Sequence, residues 1–272
     1  MFYDLEEECK QIEKMETGRM FMPYLPILAR IDGRSFHTYT RGLNRPFDEG
    51  MIKLMQETTK FLVQETNAKI GYTQSDEITL LFYTDAPKAQ LFFNGKIFKM
   101  VSQLASIATA YFNANVPKYI PSHVNKLAFF DCRCWQVPRK ADAVNIFLWR
   151  ELDATRNSIE GYARSFYSDK ECFKKNQSAL QEMIFQKGYN WNNLSSHIKR
   201  GTYVRREVIK RKFTSEELLS LNPMHECKRN PDKEVVRYMY NVIEMPPLNR
   251  IINKEEVLFN YEIPRVENET DI

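Results

Sequence analysis

The segment Gly71–Thr84, GYTQSDEITLLFYT, decides the fold because it contains two strands and the tight turn between them. The apolar run 78–82 is typical of a strand that enters a protein interior, and the polar pair Ser75-Asp76 predicts the turn before it. The adjacent carboxylates of Asp76 and Glu77 stand at the start of this strand. Burying an uncompensated carboxylate costs several kcal/mol. The sequence therefore predicts a β-hairpin with a counter-charge at its turn.

The elements on both sides of the hairpin follow the order strand, helix, strand, strand, helix, strand. The helices show apolar residues at helical spacing, and the strands are short runs bounded by turn residues. This order is the ferredoxin-like plan, in which two helices cover one sheet, so we predict an α+β fold. The predicted elements are a helix over 2–16, a strand over 24–32, a helix over 47–67, strands over 69–74 and 77–84, a helix capped by Asn94, a strand over 126–138, a helix from Asp142 to about Ser168, and an irregular appendage over the last thirty or so residues.

The composition indicates a soluble cytoplasmic protein. The chain has 272 residues, of which 43% are hydrophobic and 27% charged, enough for one large domain or two small ones. It has no apolar run of the roughly 20 residues that a membrane span needs, and its first residues are acidic where a secretory signal is basic. The 5 cysteines are scattered, without the spacing of a zinc site, so we expect reduced thiols.

A basic segment over residues 199–212, KRGTYVRREVIKRK, contains seven lysines and arginines against a single Glu207. One interpretation is the solvated face of a helix or strand. Because Tyr203 and Val204 interrupt the charges, a second interpretation is a surface that binds the phosphates of a nucleic acid.

A third acidic residue, Asp32, ends the strand that the ferredoxin-like plan places beside the hairpin. The first and third strands are central neighbours in this plan, so Asp32 approaches Asp76 and Glu77. Three carboxylates this close raise each other's pKa unless cations lie among them. All-oxygen ligation suits Mg²⁺, and two such ions can activate a hydroxyl and neutralise a leaving pyrophosphate. The alternative is that Asp32 is a turn residue and that the hairpin carboxylates are exposed.

The loop after Asp32, GRSFHTYT, has the features of an anion-binding site. Gly33 permits close approach of the backbone, and successive N–H groups can surround a triphosphate. Arg34 and His37 add side-chain donors, and Arg45 in the following RPFD segment is a further candidate for phosphate. The alternative for His37 is a structural role.

Six short motifs occur together in the order seen in the tRNA-His guanylyltransferase superfamily: RIDGRSFH, RPFD, YTQSDEITLLF, FDCRCW, WRELDATRNSI and KRGTYV. Over roughly residues 4–212 the sequence resembles this superfamily. The resemblance implies a fold similar to the palm of nucleotide polymerases, with a catalytic domain over 1–140 and a helical and basic region over 141–272 packed on it. Members of the superfamily are usually homotetramers.

The resemblance implies an enzyme that adds nucleotides to the 5′ end of tRNA in the 3′-to-5′ direction. The 5′ end is activated with ATP or arrives as a triphosphate, and the 3′-hydroxyl of an incoming nucleotide such as GTP attacks it. Two Mg²⁺ ions are held by Asp32, Asp76 and the main-chain carbonyl of Gly33, with Glu77 beside them as a third catalytic carboxylate. The expected nucleotide-binding residues are Gly33, Arg34, Ser35, Phe36, His37, Arg45, Ser75 and Asn157. The expected tRNA-binding residues are Arg150, Arg156, Lys199, Arg200, Arg205, Arg206 and Lys210.

The segment TRNSIEG over 155–161 distinguishes branches of the superfamily. Eukaryotic guanylyltransferases have His-Ile-Asn-Asn-Leu-Tyr-Asn at this place, so the chain is more similar to the guanylyltransferase-like proteins, which resemble template-directed repair enzymes for 5′-truncated tRNA. Asn157 shares a helix face with Trp149 and Asp153 at four-residue steps, which predicts a substrate contact. The alternative for this stripe is an ordinary solvated helix face. The alternative functions are guanylate addition to tRNA-His, a nucleotidyl cyclase on the same scaffold, and a non-catalytic RNA-binding module.

Overall fold

The computed structural model describes residues 2–86 and 89–267, and its centre is one antiparallel sheet. Its strands are β1 Ile27–Gly33, β2 Ile70–Gln74, β3 Glu77–Phe82, β4 Phe130–Gln136, β5 Thr202–Arg211 and β6 Val235–Ile243. They lie in the order β4-β1-β3-β2-β5-β6. β1 and β3 are therefore central neighbours, and the ferredoxin-like order predicted for the first four strands is confirmed.

Helices cover both faces of the sheet. The described residues form the helices α1 Phe2–Thr17, α2 Phe36–Tyr39, α3 Glu49–Thr66, α4 Ile97–Tyr119, α5 Lys140–Arg164, α6 Asp169–Cys172, α7 Gln177–Gln186, α8 Ser196–Arg200, α9 Ser215–Ser220, α10 Glu226–Arg229 and α11 Lys254–Asn260. α3 and α4 pack on the face that carries Ile31 and Leu80, whereas α5 and α11 pack on the face that carries Leu28 and Tyr72. The side chains of a strand alternate between faces, so one apolar run contributes to two cores.

The basic segment is a strand, and it extends the sheet. β5 pairs with β2 from Thr73↔Thr202 to Ile70↔Arg205, and it then continues beyond β2 as a ribbon with β6. Residues beyond 140 thus supply two strands of the same sheet and the helix α5 on its face. The division into a catalytic domain and a second region at residue 140 stays a prediction.

The structure corrects the predicted starts of β1 and α4 and the predicted irregular appendage at the C-terminal end. β1 begins at Ile27 rather than Tyr24, because Tyr24 has a left-handed φ of 64°. α4 begins at Ile97 with Lys96 at its N-cap, while the expected cap Asn94 has a φ of 53° in a preceding 3₁₀ turn. Residues 243–267 are less irregular than expected, because α11 buries three apolar side chains in the core beneath α5.

Two expectations from composition concern the membrane and the cysteines. Within residues 2–86 and 89–267, no helix is long and apolar enough to cross a membrane. All five cysteines are free thiols, as predicted. Cys132 and Cys134 lie on the same face of β4 with their sulfur atoms 3.8 Å apart.

Candidate active site

Asp32 and Asp76 lie beside each other at one end of the central strands. Asp32 is the cross-strand partner of Glu77, the residue that follows Asp76. The turn from β2 to β3 brings Asp76 to the end of β1, where the Gly33 N–H donates to the Asp76 carbonyl at 3.1 Å. A left-handed φ of 55° at Ser75 closes this turn. The sheet order therefore brings these two carboxylates together, as the sequence predicts.

Gly33 allows the loop after β1 to pack tightly against the core. A Cβ at Gly33 would lie 2.3 Å from a ring carbon of Phe36. The Phe36 ring is itself fixed, because it is buried against Phe112 and Phe130 at centroid distances of 5.7 and 5.1 Å. A side chain at Gly33 would therefore displace the loop, since the ring has no room to move.

Asp76 and Asp32 together place excess negative charge at this end of the sheet. Burial, and then the nearby charge of Asp32, raise the pKa of Asp76 to about 6. The Ser75 hydroxyl donates to Asp76 Oδ1 at 3.1 Å and opposes this rise. A cation bound between Asp32 and Asp76 would remove the repulsion that raises this pKa.

Glu77 has its own counter-charge within the fold, the guanidinium of Arg150. The Arg150 guanidinium donates to both Glu77 oxygens, with Nε–Oε1 at 2.6 Å and Nη2–Oε2 at 2.7 Å. The two side chains are 15% and 16% exposed, and Arg150 also lies 3.3 Å from Asp153. Burial raises the pKa of Glu77, and Arg150 partly offsets this rise. Arg150 is thus the counter-charge of Glu77 within the fold. A catalytic role of Glu77 stays a prediction.

The helix α5 that carries Arg150 is anchored by a buried carboxylate. Glu151 accepts a hydrogen bond from the Tyr203 hydroxyl at 2.9 Å and another from the Leu248 N–H at 2.8 Å. Burial raises the pKa of Glu151, and these two donors lower it. Because a buried carboxylate without donors is costly, these bonds hold α5 against β5 and the C-terminal segment.

The carboxylates that remain suit a hard cation with few protein ligands. Among the residues that the structure describes, no group of three or more histidine, cysteine, aspartate or glutamate side chains could hold a metal ion. Asp32 and Asp76, with the Gly33 carbonyl, form an all-oxygen set that leaves positions open. Mg²⁺ favours such a set, because it keeps several waters and binds substrate phosphates. The residues present therefore fit Mg²⁺.

The loop at Gly33–His37 offers fewer free amides than its sequence predicts. The Gly33 N–H donates to the main-chain carbonyl of Asp76, and the Arg34 N–H donates to the Phe129 carbonyl at 2.8 Å. The first bond of the short helix α2 is from the Thr38 N–H to the Ser35 carbonyl at 2.9 Å. The amides over residues 35–37 precede this bond and are the ones left for an anion. The buried Phe36 can contribute its amide but not its side chain.

A cavity of 540 Å³ opens beside Asp76. This volume falls in the range of small-molecule sites. Its lining combines predicted nucleotide-binding residues with polar and apolar groups from α3, α5 and α8. The predicted residues in the lining are Phe36, His37, Arg45, Ser75, Asp76 and Asn157. Gly33, Arg34 and Ser35 lie in the adjoining loop and do not line it.

The cavity also contains residues that sequence reasoning missed. Gln56 on α3 donates to the Thr202 hydroxyl at 3.0 Å, and His197 on α8 lies 3.6 Å from Glu49. Arg164 reaches the same cavity from the end of α5. These positions come from elements that are distant in the chain, so only the packing of α3, α5 and α8 could identify them.

The predicted tRNA-binding residues fall into two groups, and the first lies near the cavity. Arg150 is held by Glu77, and Arg156 is ion-paired with Asp153. Lys199 donates to the Asn192 carbonyl at 2.6 Å, and Arg200 donates to Ser196 at 3.2 Å. These side chains already have partners within the fold, and contact with RNA would require them to exchange partners.

The second group lies along the ribbon of β5 and β6. The Arg206 guanidinium lies 4.6 Å from the Tyr238 ring centroid and 5.8 Å from that of Tyr261. Arg205 donates to the Glu262 carbonyl at 3.1 Å, and Lys210 is exposed further along the strand. β5 begins near the active site, where Thr202 pairs with Thr73. Because a strand rises about 3.3 Å per residue, the residues of this second group lie progressively further from the active site. The structure thus separates the two groups that the sequence placed in one RNA-binding set.

Comparison with known proteins agrees with this fold. The family model described as tRNAHis guanylyltransferase matches residues 7–138. A bacterial tRNA(His) guanylyltransferase-like protein, solved in complex with ATP, is 34% identical, with 74% of this chain and 88% of that chain covered and a TM-score of 0.69. A bacterial guanylyltransferase-like structure in complex with GTP is 29% identical, with 90% and 94% covered and a TM-score of 0.68. The tRNA(His) guanylyltransferase of Saccharomyces cerevisiae is 26% identical over 216 residues, which cover 72% of this chain and 89% of the yeast protein. Together with the fold, these similarities show that the chain belongs to the tRNA-His guanylyltransferase family of nucleotidyltransferases.

Proposed function

We propose that this chain is a Mg²⁺-dependent 3′-to-5′ nucleotidyltransferase that adds nucleotides to the 5′ end of tRNA, with template-directed repair of 5′-truncated tRNA as its main reaction. One observation carries the proposal. Asp76 lines a 540 Å³ cavity that also contains Arg45 and His37, and Asp32 lies beside Asp76 at the end of β1. A cation-binding pair next to phosphate-binding groups is the arrangement that phosphoryl transfer requires.

Asp32, Asp76 and the Gly33 carbonyl would hold two Mg²⁺ ions. Bound there, Mg²⁺ lowers the pKa of an attacking hydroxyl and neutralises the charge on a leaving pyrophosphate. Arg45, the Ser75 hydroxyl and the amides over residues 35–37 bind the triphosphate of the incoming nucleotide. Little covalent chemistry is left to the side chains, because positioning and charge neutralisation supply most of the rate.

The cavity also positions the nucleoside. Its walls include Phe47 and Met55 beside the amides of Asn157 and Gln56, so apolar surface and hydrogen-bonding groups face the same space. This mixture is typical of sites that bind a base and a ribose. ATP and GTP are the proposed substrates, and the bacterial relatives solved with these two nucleotides support this assignment.

Repair is preferred over addition of one guanylate to tRNA-His because of the segment over 155–161. It departs from the eukaryotic guanylyltransferase motif, and the two bacterial guanylyltransferase-like structures are 34% and 29% identical to this chain, against 26% for the yeast enzyme. The proposal also includes a cytoplasmic homotetramer, as the family resemblance implies. Light scattering of the purified protein measures its assembly directly.

A primer-extension assay tests the proposal. The protein is incubated with Mg²⁺, all four nucleotides and either full-length tRNA-His or several tRNAs that lack their 5′ nucleotide, and the 5′ ends are sequenced. We expect templated restoration of the truncated ends, with loss of activity in Asp32→Asn and Asp76→Asn. The exposed Asp85→Asn is the matched control, since it removes a carboxylate beyond the end of β3 that lies opposite the active site.

Each alternative gives a different result in the same assay. A cyclic product formed without RNA would indicate a nucleotidyl cyclase. Extension of tRNA-His alone, by one guanylate, would indicate a guanylyltransferase. RNA binding without turnover in any condition would indicate a binding module, because salt-sensitive RNA binding is common to all the RNA hypotheses.

A further inference from the structure

The face of the sheet next to Asp32 carries cationic and aromatic side chains, of which Arg133 and Trp149 are exposed. Arg30 on β1 and Arg133 on β4 are cross-strand neighbours, and they share the face of Asp32 because alternate residues of a strand point the same way. Trp149 on α5 borders them, with its ring centroid 5.9 Å from the Arg30 guanidinium. Trp149 remains 51% exposed although the Arg150 guanidinium also contacts its ring. We call Arg30, Arg133 and Trp149 the open patch.

The cations of the open patch have capacity for a further acceptor. Arg30 Nε is buried and has no hydrogen-bond partner within the part of the chain that the structure describes. Arg133 lies 3.4 Å from Asp32 and 3.7 Å from Asp131, which are long distances for an arginine–carboxylate pair, and its side chain is 56% exposed. Exposed ion pairs of this kind contribute little stability. Arg133 can therefore exchange its carboxylates for a phosphate at small cost.

The position of the open patch distinguishes it from the nucleotide cavity. The patch meets the active site through the contact between Arg133 and Asp32. None of its three residues lines the 540 Å³ cavity, so a nucleotide bound there leaves the patch free. The second substrate of the proposed reaction is the RNA 5′ end, which would reach Asp32 from outside the cavity.

The chemistry of the patch fits that substrate. Guanidinium groups form charge-assisted hydrogen bonds with phosphate oxygens, and an exposed indole stacks on a nucleobase of any identity. An acidic peptide would use the two arginines but would gain little from the indole. The combination therefore favours a terminal nucleotide, which presents a base and a 5′ phosphate together.

We infer that the open patch binds the 5′-terminal nucleotide of the RNA. The Trp149 indole stacks on its base, and Arg133, supported by Arg30, binds its 5′ phosphates beside Asp32. This inference rests on the proposed function and assigns a separate site to the second substrate of the same reaction. It makes these residues contacts for the RNA and not for the incoming nucleotide.

Equilibrium binding and kinetics of Trp149→Ala and Arg133→Gln test the inference. Anisotropy of a 3′-labelled tRNA is measured with a 5′-triphosphate and with a 5′-hydroxyl. We expect the wild-type protein to prefer the triphosphate, Arg133→Gln to lose that preference, and Trp149→Ala to bind both RNAs roughly tenfold more weakly. The KM for RNA rises in both variants, while the KM for the nucleotide stays within about twofold of wild type. Phe173→Ala and Arg229→Gln are controls that remove an exposed aromatic ring and an exposed guanidinium elsewhere.

The outcomes separate this inference from the function on which it rests. The inference is overturned if both variants keep the wild-type RNA affinity and the wild-type preference for a 5′ phosphate. It is also overturned if their loss of RNA affinity only equals that of the control variants. A change in oligomeric state without a change in RNA affinity also overturns it, because the patch would then be a contact between copies. If the wild-type protein has no turnover, the proposed function fails, while the anisotropy measurements still decide the inference.

Discussion

Replacing Asp76 with asparagine is expected to stabilise the metal-free protein although it abolishes activity. Asp76 has its pKa raised from 3.8 to about 6, chiefly by burial and by the charge of Asp32. Each pKa unit corresponds to about 1.4 kcal/mol, so the ionised carboxylate destabilises the folded state by at most about 3 kcal/mol. Asparagine has nearly the same shape and can still accept the hydrogen bond from Ser75, but it carries no charge.

The sign of the effect follows from proton binding. Because its folded-state pKa is raised, Asp76 binds a proton more tightly in the folded protein than in the unfolded chain. The wild-type free energy of unfolding therefore falls as the pH rises from about 4 to about 6, and this part of the slope is absent in Asp76→Asn. The stability difference between the two proteins is small near pH 4 and reaches its full size above pH 7.

Urea denaturation at several pH values in the presence of EDTA measures this difference. Adding Mg²⁺ then stabilises the wild-type protein by mass action and leaves Asp76→Asn unchanged. Asp85→Asn serves as the control, and it changes neither the slope nor the Mg²⁺ response. A variant that is equally stable or less stable than wild type at pH 7.5 without metal would refute the reasoning, because Asp76 would then not be in a repulsive, desolvated position.

Three further predictions concern other parts of the site. Arg150→Gln leaves the largely buried Glu77 carboxylate unpaired and is expected to lower the free energy of unfolding by about 3 kcal/mol. The double variant Arg150→Gln/Glu77→Gln is expected to recover most of this loss in a double-mutant cycle. No recovery would mean that the two side chains are not coupled. Gly33→Ala forces the loop from the core and is expected to raise the KM for nucleotide more than tenfold, and an unchanged KM would show that this loop does not bind nucleotide. Charge reversal at Arg205 and Arg206 is expected to weaken tRNA binding more than nucleotide binding and to reduce its salt dependence; equal losses would indicate a role in folding.

The sheet order was predictable because it depends on the chain order of its elements. The hairpin turn at Ser75-Asp76 and the strand ending at Asp32 specify which strands are neighbours once the ferredoxin-like plan is assigned. Their register then places Asp32 opposite Glu77. The proximity of Asp32 and Asp76 therefore follows from the local sequence patterns and from the ferredoxin-like strand order, in which β1 and β3 are neighbours.

The partner of Glu77 could not be predicted in the same way. Arg150 lies 73 positions further along the chain, and its contact with Glu77 depends on how α5 docks on the sheet. A helical stripe shows which residues share a face, but it does not show whether that face meets RNA or another side chain. The tRNA-binding role of Arg150 stays a prediction.

The C-terminal strand β6 was also missed. Its exposed and half-buried residues do not alternate cleanly, since both Tyr238 and Met239 are exposed. The sequence of its partner β5 indicates only a basic segment with two interpretations. A strand whose pairing partner is uncertain has weak support from its own sequence.

The direction of synthesis is the most direct test of the central claim, that the site joins the 3′-hydroxyl of a nucleotide to the 5′ end of an RNA. A 5′-triphosphorylated, truncated tRNA is incubated with the protein, Mg²⁺ and GTP labelled at its γ-phosphate, and the reaction is stopped after one addition. The account predicts that the label enters the RNA, because the incoming nucleotide keeps its triphosphate and the pyrophosphate leaves from the RNA. Release of the label as pyrophosphate, with the 5′ end unchanged in length, would contradict it.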